Sequence, residues 1–435
     1  MIKNKTYAPP PDKAITHRAL LLAAIAEGST VISNPAVCGD TAATAACLRK
    51  LGVAISRGKN DLTVKGAGLR GFKKPAGALN AGESGTTARL LAGLLAGQEF
   101  DSVITGQGSL LKRPMERVTR PLAAMGAVIK SSGGRLPLRI SGSRLKGTDH
   151  RLALPSAQVK SALLLAGLYA EGPTSITERF QTRDHTERLL KYLGARISSS
   201  GLNLYLRPGR FNARNIMVPG DISAAAPFIV AACLLTDFKL TIRNIGLNPG
   251  RMGLITTLKA MGALITIRPA WGKPLMRCPP VAQSPGRGTS SAPEPAGDIT
   301  VSSSELKGIR IRPDEIPAMI DELPLLALAA ARSQGTTIIS GAGELRHKES
   351  DRLKTTLALF KTLGLKVEAG KDSLVIRGPQ NISGGKPAET FNDHRVAMAA
   401  AVGALLAAKP VKIKDAGCVR KSYPAFFADF RKVFY

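Results

Sequence analysis

The sequence predicts an α/β protein of two lobes, each built from three copies of one supersecondary unit. Three observations carry this. A helix-like apolar segment that closes on Leu-Gly or Met-Gly and runs into a short β-branched stretch recurs at Gly52, Gly126, Gly194, Gly262 and Gly364. These glycines lie 74, 68, 68 and 102 residues apart, so six such units fill the 435-residue chain. The one long interval contains Trp271–Thr300, rich in Pro, Gly and Ser, which reads as an exposed insertion on a strand connection; removing about thirty residues there restores the period.

A period of about 70 residues suits a compact unit of two helices and a few strands. The recurring glycine fits the position just past a helix end, where a left-handed backbone costs it little. The apolar runs Ala224–Leu235 and Val396–Ala408 read as buried helices, since both fall short of the roughly 20 residues that cross a bilayer. Pro424–Val433 is a sixth helix candidate, and Met1–Pro10 is expected to supply the strand missing from the sixth unit, tying the termini together. The composition shift at Val218-Pro219-Gly220-Asp221 marks a crossing between lobes. Lobe one is therefore residues 1–10 plus 220–435, with the insertion at about 271–300, and lobe two is residues 11–219. With 44% hydrophobic residues, each can bury its own core.

Composition excludes several classes. Met1–Lys13 carries lysines and prolines but no apolar h-region, so no secretory signal is read and a cytoplasmic location is expected. The five cysteines are scattered and never spaced as CxxC, which fits reduced thiols serving as small hydrophobes. None of the five histidines is paired at HxxxH spacing, and no metal site is predicted. A formal charge of +30 attracts polyanions. Aromatics make up only 4% of the chain and interleave with no basic run, so a small anionic ligand or a solvated basic surface fits better than nucleic acid.

Pro11-Asp12-Lys13-Ala14-Ile15-Thr16-His17-Arg18 precedes an amphipathic run, so Asp12 or Thr16 can cap a helix with Lys13 and Arg18 at its positive end. Glu83-Ser84-Gly85-Thr86-Thr87-Ala88-Arg89 has small residues where backbone must approach a ligand, then hydroxyls and an arginine opening a helix. Lys112-Arg113 stands before Pro114, read as a helix-starting proline, and Arg113 can grip an oxyanion bidentately. Ser156-Ala157-Gln158 opens another helix with groups suited to hydroxyl or phosphate. Each segment alone reads equally well as a solvated turn or cap; four polar helix starts in one half of the chain point to an anion.

The other half supplies carboxylates. Glu315–Pro324 places Asp321 and Glu322 inside an apolar stretch, where an acid either pairs with arginine or transfers a proton with a pKa set by burial. Arg346–Arg352 is read as a helix start bringing Lys348 and Arg352 onto one face at i, i+4 spacing, with Glu349 beside them. Asn392-Asp393-His394-Arg395 and Lys421 add further basic positions. A surface salt-bridge network explains any one of these and explains the set poorly.

Taken in order, DKxxxHRALLLAAIAEG, ESGTTARLL, SLLKRPM, PSAQVKSALLLAG, RDHTER, IDELP, RHKESDRL and NDHRVAMA resemble the successive signatures of the enolpyruvylshikimate-phosphate synthase family, across nearly the whole chain. The resemblance implies an inside-out α/β barrel in each lobe, three βαβαββ-like units with helices packed inside, closing on substrates at the cleft. It implies transfer of the enolpyruvyl group of phosphoenolpyruvate to the 5-hydroxyl of shikimate 3-phosphate by a monomer that needs no metal or organic cofactor. By resemblance, Lys13, Ala14, Arg18, Ser156, Ala157, Gln158, Asp321 and Lys348 hold shikimate 3-phosphate. Lys13, Gly85, Arg113, Gln158, Arg352, Arg395 and Lys421 hold phosphoenolpyruvate. Asp321 takes the hydroxyl proton, Glu349 protonates the methylene carbon, and Lys13 serves both substrates. Gly85 corresponds to the herbicide-sensing glycine, which implies that glyphosate competes with phosphoenolpyruvate.

The chain departs from the family pattern at four positions. The PGDKS motif is Pro10-Pro11-Asp12-Lys13-Ala14, the Asn of NSGTT is Glu83, and the Asp of GDxSL is Gln107. A divergent paralogue with another anionic acceptor, or a basic nucleic-acid-binding protein on the same fold, are the alternative readings. The UDP-N-acetylglucosamine enolpyruvyl transferases resemble the chain less, because the loop Gly106–Met115 lacks their cysteine.

Overall fold

A helix that is apolar around its whole circumference has to lie inside, whereas one with a single apolar stripe covers a core from outside. Both kinds alternate along this chain. The computed structural model describes residues 2–270 and 293–435, which divide into two compact units. One comprises residues 2–10, 220–269 and 296–435; the other comprises 11–219, joined by Ala270 and residues 293–295.

The 11–219 unit contains α1 (Lys13–Ile25), α2 (Gly39–Lys50), α3 (Gly85–Ala96), α4 (Glu116–Ala124), α5 (Ala157–Gly167) and α6 (His185–Leu193). In α1 every residue from Ile15 to Ile25 is buried, and α3 and α5 are nearly as enclosed. Each buried Leu or Ile on them contributes about 1.5–3 kcal/mol. Helices α2, α4 and α6 keep a charged face outward. Three four-stranded sheets surround the helices. In each, the first strand runs parallel to the second and the remaining two add antiparallel, as in Leu79–Asn80, Ser102–Thr105, Arg135–Ser141 and Val128–Ser132. Burial alternates along Arg135–Ser141, so one face of that sheet lies on the helices and the other faces outward. The unit closes on itself, because the outer strand of its first sheet is Ile216–Met217, parallel to Ser29–Ser33.

The second unit repeats the plan with α7 (Ile222–Leu234), α8 (Gly253–Ala260), α9 (Leu323–Arg332), α10 (Arg352–Leu363), α11 (His394–Leu405) and α12 (Phe426–Phe434). The mutually packed α7, α9 and α11 form its interior. The apolar runs read as buried helices are α7 and α11. Two four-stranded sheets show the same strand order. Where a third would stand, the described residues make only the parallel bridges Gly384–Lys409 and Ala388–Ile413. All five periodic glycines have positive φ, between +79° and +102°, each just past the end of α2, α4, α6, α8 or α10.

Several expectations need correction. The strand Lys3–Tyr7 does not complete the sixth unit; it pairs in parallel with Phe238–Gly246 and heads the fourth unit's sheet. It still ties the termini, since Tyr7 stacks on Phe228 and its hydroxyl lies 2.7 Å from that of Tyr423, just before α12. Pro114 does not start a helix, because a 3₁₀ turn at Gly108–Lys112 precedes it and α4 begins at Glu116. Most of the expected Trp271–Thr300 insertion lies outside the described residues. Its last part, Ala296–Thr300, belongs to a strand paired on both sides, and residues 293–295 group with the 11–219 unit rather than with lobe one. Among the described residues no helix is long and apolar enough to cross a membrane.

Candidate active site

In the 11–219 unit the N-termini of α1, α3 and α5 are linked by side chains. Asp12 caps α1 by accepting from the Ile15 amide at 2.8 Å, which leaves Thr16 to bond the Asp12 carbonyl. Lys13 opens the helix, and its ammonium meets Asp40 in the first turn of α2 at 2.8 Å. Arg18, one turn on, is buried; it donates to the Ala14 carbonyl, to Ser161 of α5 and to Thr186 of α6. Burial lowers its pKa to about 10, with Glu187 the largest charge opposing the fall.

Gly85 is the first residue of α3, whose cap is Ser84. A Cβ built there would lie 2.8 Å from Arg113 Nη1 and 2.9 Å from Arg89 Nη1, so two guanidinium groups converge on a residue without a side chain. Gln158 in the first turn of α5 accepts from Arg89 at 2.5 Å and donates to Thr86 at 2.9 Å. Ser156 caps α5 and Ala157 opens it. Three helix N-termini with Lys13, Arg18, Arg89 and Arg113 around them are what an anionic ligand requires. The altered Glu83 turns its carboxylate onto the neighbouring loop, accepting from Ser109 at 3.1 Å.

The second unit gathers its carboxylates around one arginine. Arg352, fully buried at the start of α10, donates from Nη1 to Asp321 at 3.0 Å, from Nη2 to Glu349 at 2.6 Å and from Nε to Asp393 at 2.9 Å. Desolvation opposes its charge, but Asp393, Glu349 and Asp321 outweigh it and push the pKa up. Lys348 reaches the same Asp321 oxygen at 3.1 Å. The two cations do not share a helix face as expected: Lys348 lies in an extended link between a 3₁₀ turn and α10, and they meet through Asp321 instead. Arg395, in the first turn of α11, donates to the Ser223 carbonyl on α7 at 2.7 Å, with Glu322 at 4.0 Å. Lys421 donates to the Asn392 carbonyl at 3.0 Å.

The structure thus brings Lys13, Ala14, Arg18, Gly85, Arg113, Ser156, Ala157 and Gln158 to one end of one helix core. It brings Asp321, Lys348, Glu349, Arg352, Arg395 and Lys421 to the helix starts of the other. Sequence reasoning placed Arg89 in the anion-binding segment without naming its partner, and gave no role to Asp40 or Asp393. The readable signal of Arg89 is that it is the one charged residue of α3, whose other residues are apolar, glycine or threonine.

Comparison with known proteins agrees along the whole length. The family described as EPSP synthase (3-phosphoshikimate 1-carboxyvinyltransferase) matches residues 4–430. A 3-phosphoshikimate 1-carboxyvinyltransferase from Shouchella clausii is 42% identical over 97% of this chain and 94% of its own. One from Bacillus subtilis is 39% identical over 98% of this chain and 96% of its own. Among solved structures, EPSP synthase from Acinetobacter baumannii superposes with a TM-score of 0.84 at 39% identity, covering 100% of this chain and 96% of that one. The enolpyruvyl transferase NikO from Streptomyces tendae, at 16% identity and a TM-score of 0.76 over 99% of this chain and 95% of its own, shares the fold. The chain therefore belongs to the EPSP synthase (3-phosphoshikimate 1-carboxyvinyltransferase) family, with the inside-out α/β fold of the enolpyruvyl transferases.

Proposed function

We propose that the protein transfers the enolpyruvyl group of phosphoenolpyruvate to the 5-hydroxyl of shikimate 3-phosphate and releases phosphate. What carries the reading beyond family membership is Asp321, a carboxylate with one oxygen gripped by two cations, standing beside Glu349. Lys13, Ala14, Arg18, Ser156, Ala157, Gln158, Asp321 and Lys348 serve shikimate 3-phosphate. Lys13, Gly85, Arg113, Gln158, Arg352, Arg395 and Lys421 serve phosphoenolpyruvate.

In this reading Asp321 takes the proton of the 5-hydroxyl as its oxygen bonds to C2 of phosphoenolpyruvate, and Glu349 gives a proton to C3. The tetrahedral adduct then loses a methyl proton back to Glu349 as the C2–O bond to phosphate breaks. The basic side chains neutralise charge on the substrates and on the departing phosphate. The enzyme acts as a cytoplasmic monomer.

Phosphate release from purified protein given both substrates tests this, with Asp321→Asn and Glu349→Gln as controls. Turnover that both substitutions abolish supports the reading. A folded protein that binds neither substrate counts against it and favours the divergent paralogue.

A further inference from the structure

Arg18 is held by three neutral oxygens: Thr186 Oγ1 at 2.8 Å, Ser161 Oγ at 2.9 Å and the Ala14 carbonyl at 2.9 Å. The two hydroxyls lie 2.7 Å from each other. Each is adjacent in sequence to a member of a buried ion cluster that the proposed reaction does not use. Ser161 follows Lys160 and Thr186 precedes Glu187. Lys160 Nζ lies 2.7 Å from Glu178 and 2.6 Å from Glu187, with side-chain exposures of 1%, 5% and 9%. Thr182 donates to the other oxygen of Glu178. Lys160 therefore bridges α5, α6 and the strand Thr174–Glu178 immediately beside the Arg18 cradle.

A buried ion cluster adds little net stability, because desolvation consumes the attraction, but it fixes the distance between the elements that carry it. We infer that Lys160 is a positioning residue for Arg18: its bridge to Glu178 and Glu187 sets the spacing of the Ser161 and Thr186 hydroxyls and neutralises two carboxylates that would otherwise compete with the anionic acceptor for Arg18. The inference deepens the function proposed above and rests on Arg18 meeting shikimate 3-phosphate.

The electrostatics agree with the geometry. Burial opposes the Lys160 charge, and Glu187 and Glu178 outweigh it, so its pKa is raised; burial pushes Glu187 up against the pull of Lys160. Around Arg18, Glu187 is the main charge sustaining the proton; Asp12 and Glu294 act in the same sense and Arg183 against it. Asp40, facing α1 from α2, is engaged by Lys13, and Arg89 on α3 is engaged by Gln158.

The test is calorimetric binding of shikimate 3-phosphate, KM for phosphoenolpyruvate and crystal structures for wild type, Lys160→Met, Lys160→Arg and Glu187→Gln. In Lys160→Met the Kd for shikimate 3-phosphate rises about tenfold while KM for phosphoenolpyruvate stays within about twofold. Lys160→Arg keeps the charge and recovers most of the affinity. In Glu187→Gln the bridge from Lys160 to α6 is lost, so the Kd for shikimate 3-phosphate also rises while KM for phosphoenolpyruvate stays within about twofold; a merely structural role weakens both substrates alike. Wild-type affinity in Lys160→Met, or equal weakening for both substrates, overturns the inference. If Lys160→Met does not fold, Glu187→Gln decides: selective loss of shikimate 3-phosphate affinity supports the inference, and wild-type affinity or equal weakening for both substrates overturns it. If wild type does not bind shikimate 3-phosphate, the functional reading fails, and the Lys160→Met crystal structure judges the positioning separately. Arg18 swung from Thr186 toward Glu187 upholds it, and Arg18 unmoved overturns it.

Discussion

Lys348 and Arg352 converge on a single oxygen of Asp321, at 3.1 and 3.0 Å, from opposite sides of a helix start. Two cations on one oxygen fix the orientation of the carboxylate, the first requirement for a group proposed to take a proton from a bound hydroxyl. Asp321→Asn keeps the shape and removes the charge. The expected outcome is a fall in kcat of about 10²–10⁴, the range for a lost general base, with smaller changes in KM. Steady-state phosphate release checks it, and a kcat within threefold of wild type would sink the assignment.

Gly85→Ala tests the convergence of Arg89 and Arg113. The new methyl would stand 2.8 Å from Arg113 Nη1 and 2.9 Å from Arg89 Nη1. Both atoms are ends of flexible side chains, so the fold yields by moving them and stability changes little. Phosphoenolpyruvate and glyphosate should both bind worse, with KM for phosphoenolpyruvate up about tenfold and shikimate 3-phosphate nearly unaffected. Initial rates over both substrates, with glyphosate competing against phosphoenolpyruvate in wild type, give the answer. Equal changes for the two substrates would count against a local effect.

Much of this was legible in the chain. The Leu-Gly and Met-Gly punctuation identified the ends of five helices because a left-handed residue after a helix strongly favours glycine, and local chemistry of that kind survives in sequence. The pairing of Lys348 with Arg352 was legible, but its geometry was misread. An i, i+4 spacing assumes a continuous helix, and Asp351, which caps α10 by accepting from the Lys354 amide, starts that helix one residue before Arg352. The roles of Asp393 and Asp40 were not readable, since each acts on a residue from another helix. The same holds for Ile216–Met217, whose partner strand lies about 184 residues earlier.

Gly93→Ala probes the core beneath the site. A Cβ there would stand 2.2 Å from the carbonyl oxygen of Ala162, so α3 and α5 cross with backbone against backbone. Alanine favours a helix by about 1 kcal/mol over glycine. Here the neighbour is main chain and cannot swing away, so overpacking wins and the variant loses about 2 kcal/mol or more. Urea denaturation measures it. A variant as stable as wild type would mean the two helices separate freely, and the Thr86–Gln158 bond between their first turns should then lengthen.

His17 links the site to stability at low pH. It is fully buried on α1, with Nδ1 2.7 Å from Thr44 Oγ1, which lies 2.7 Å from Thr87 Oγ1, which in turn donates to Ser84 at 2.8 Å. This chain of hydroxyls runs from α1 through α2 to the cap of α3. Burial lowers the imidazole pKa to about 3, with Asp40 opposing and Lys13 and Arg18 assisting. In the unfolded chain the ordinary value is about 6.5. Below that pH the unfolded state takes up a proton that the folded state refuses, so this contribution is present in full above about pH 6.5 and declines as pH falls toward 3. The slope is about 1.4 kcal/mol per pH unit for one group. Carboxylates titrate in the same interval, so the comparison is with His17→Gln. That variant should be less stable near neutrality and lose less stability than wild type between about pH 6 and pH 4, so that the two curves converge on acidification. Parallel curves in urea denaturation across that range would show that His17 is able to charge in the folded protein.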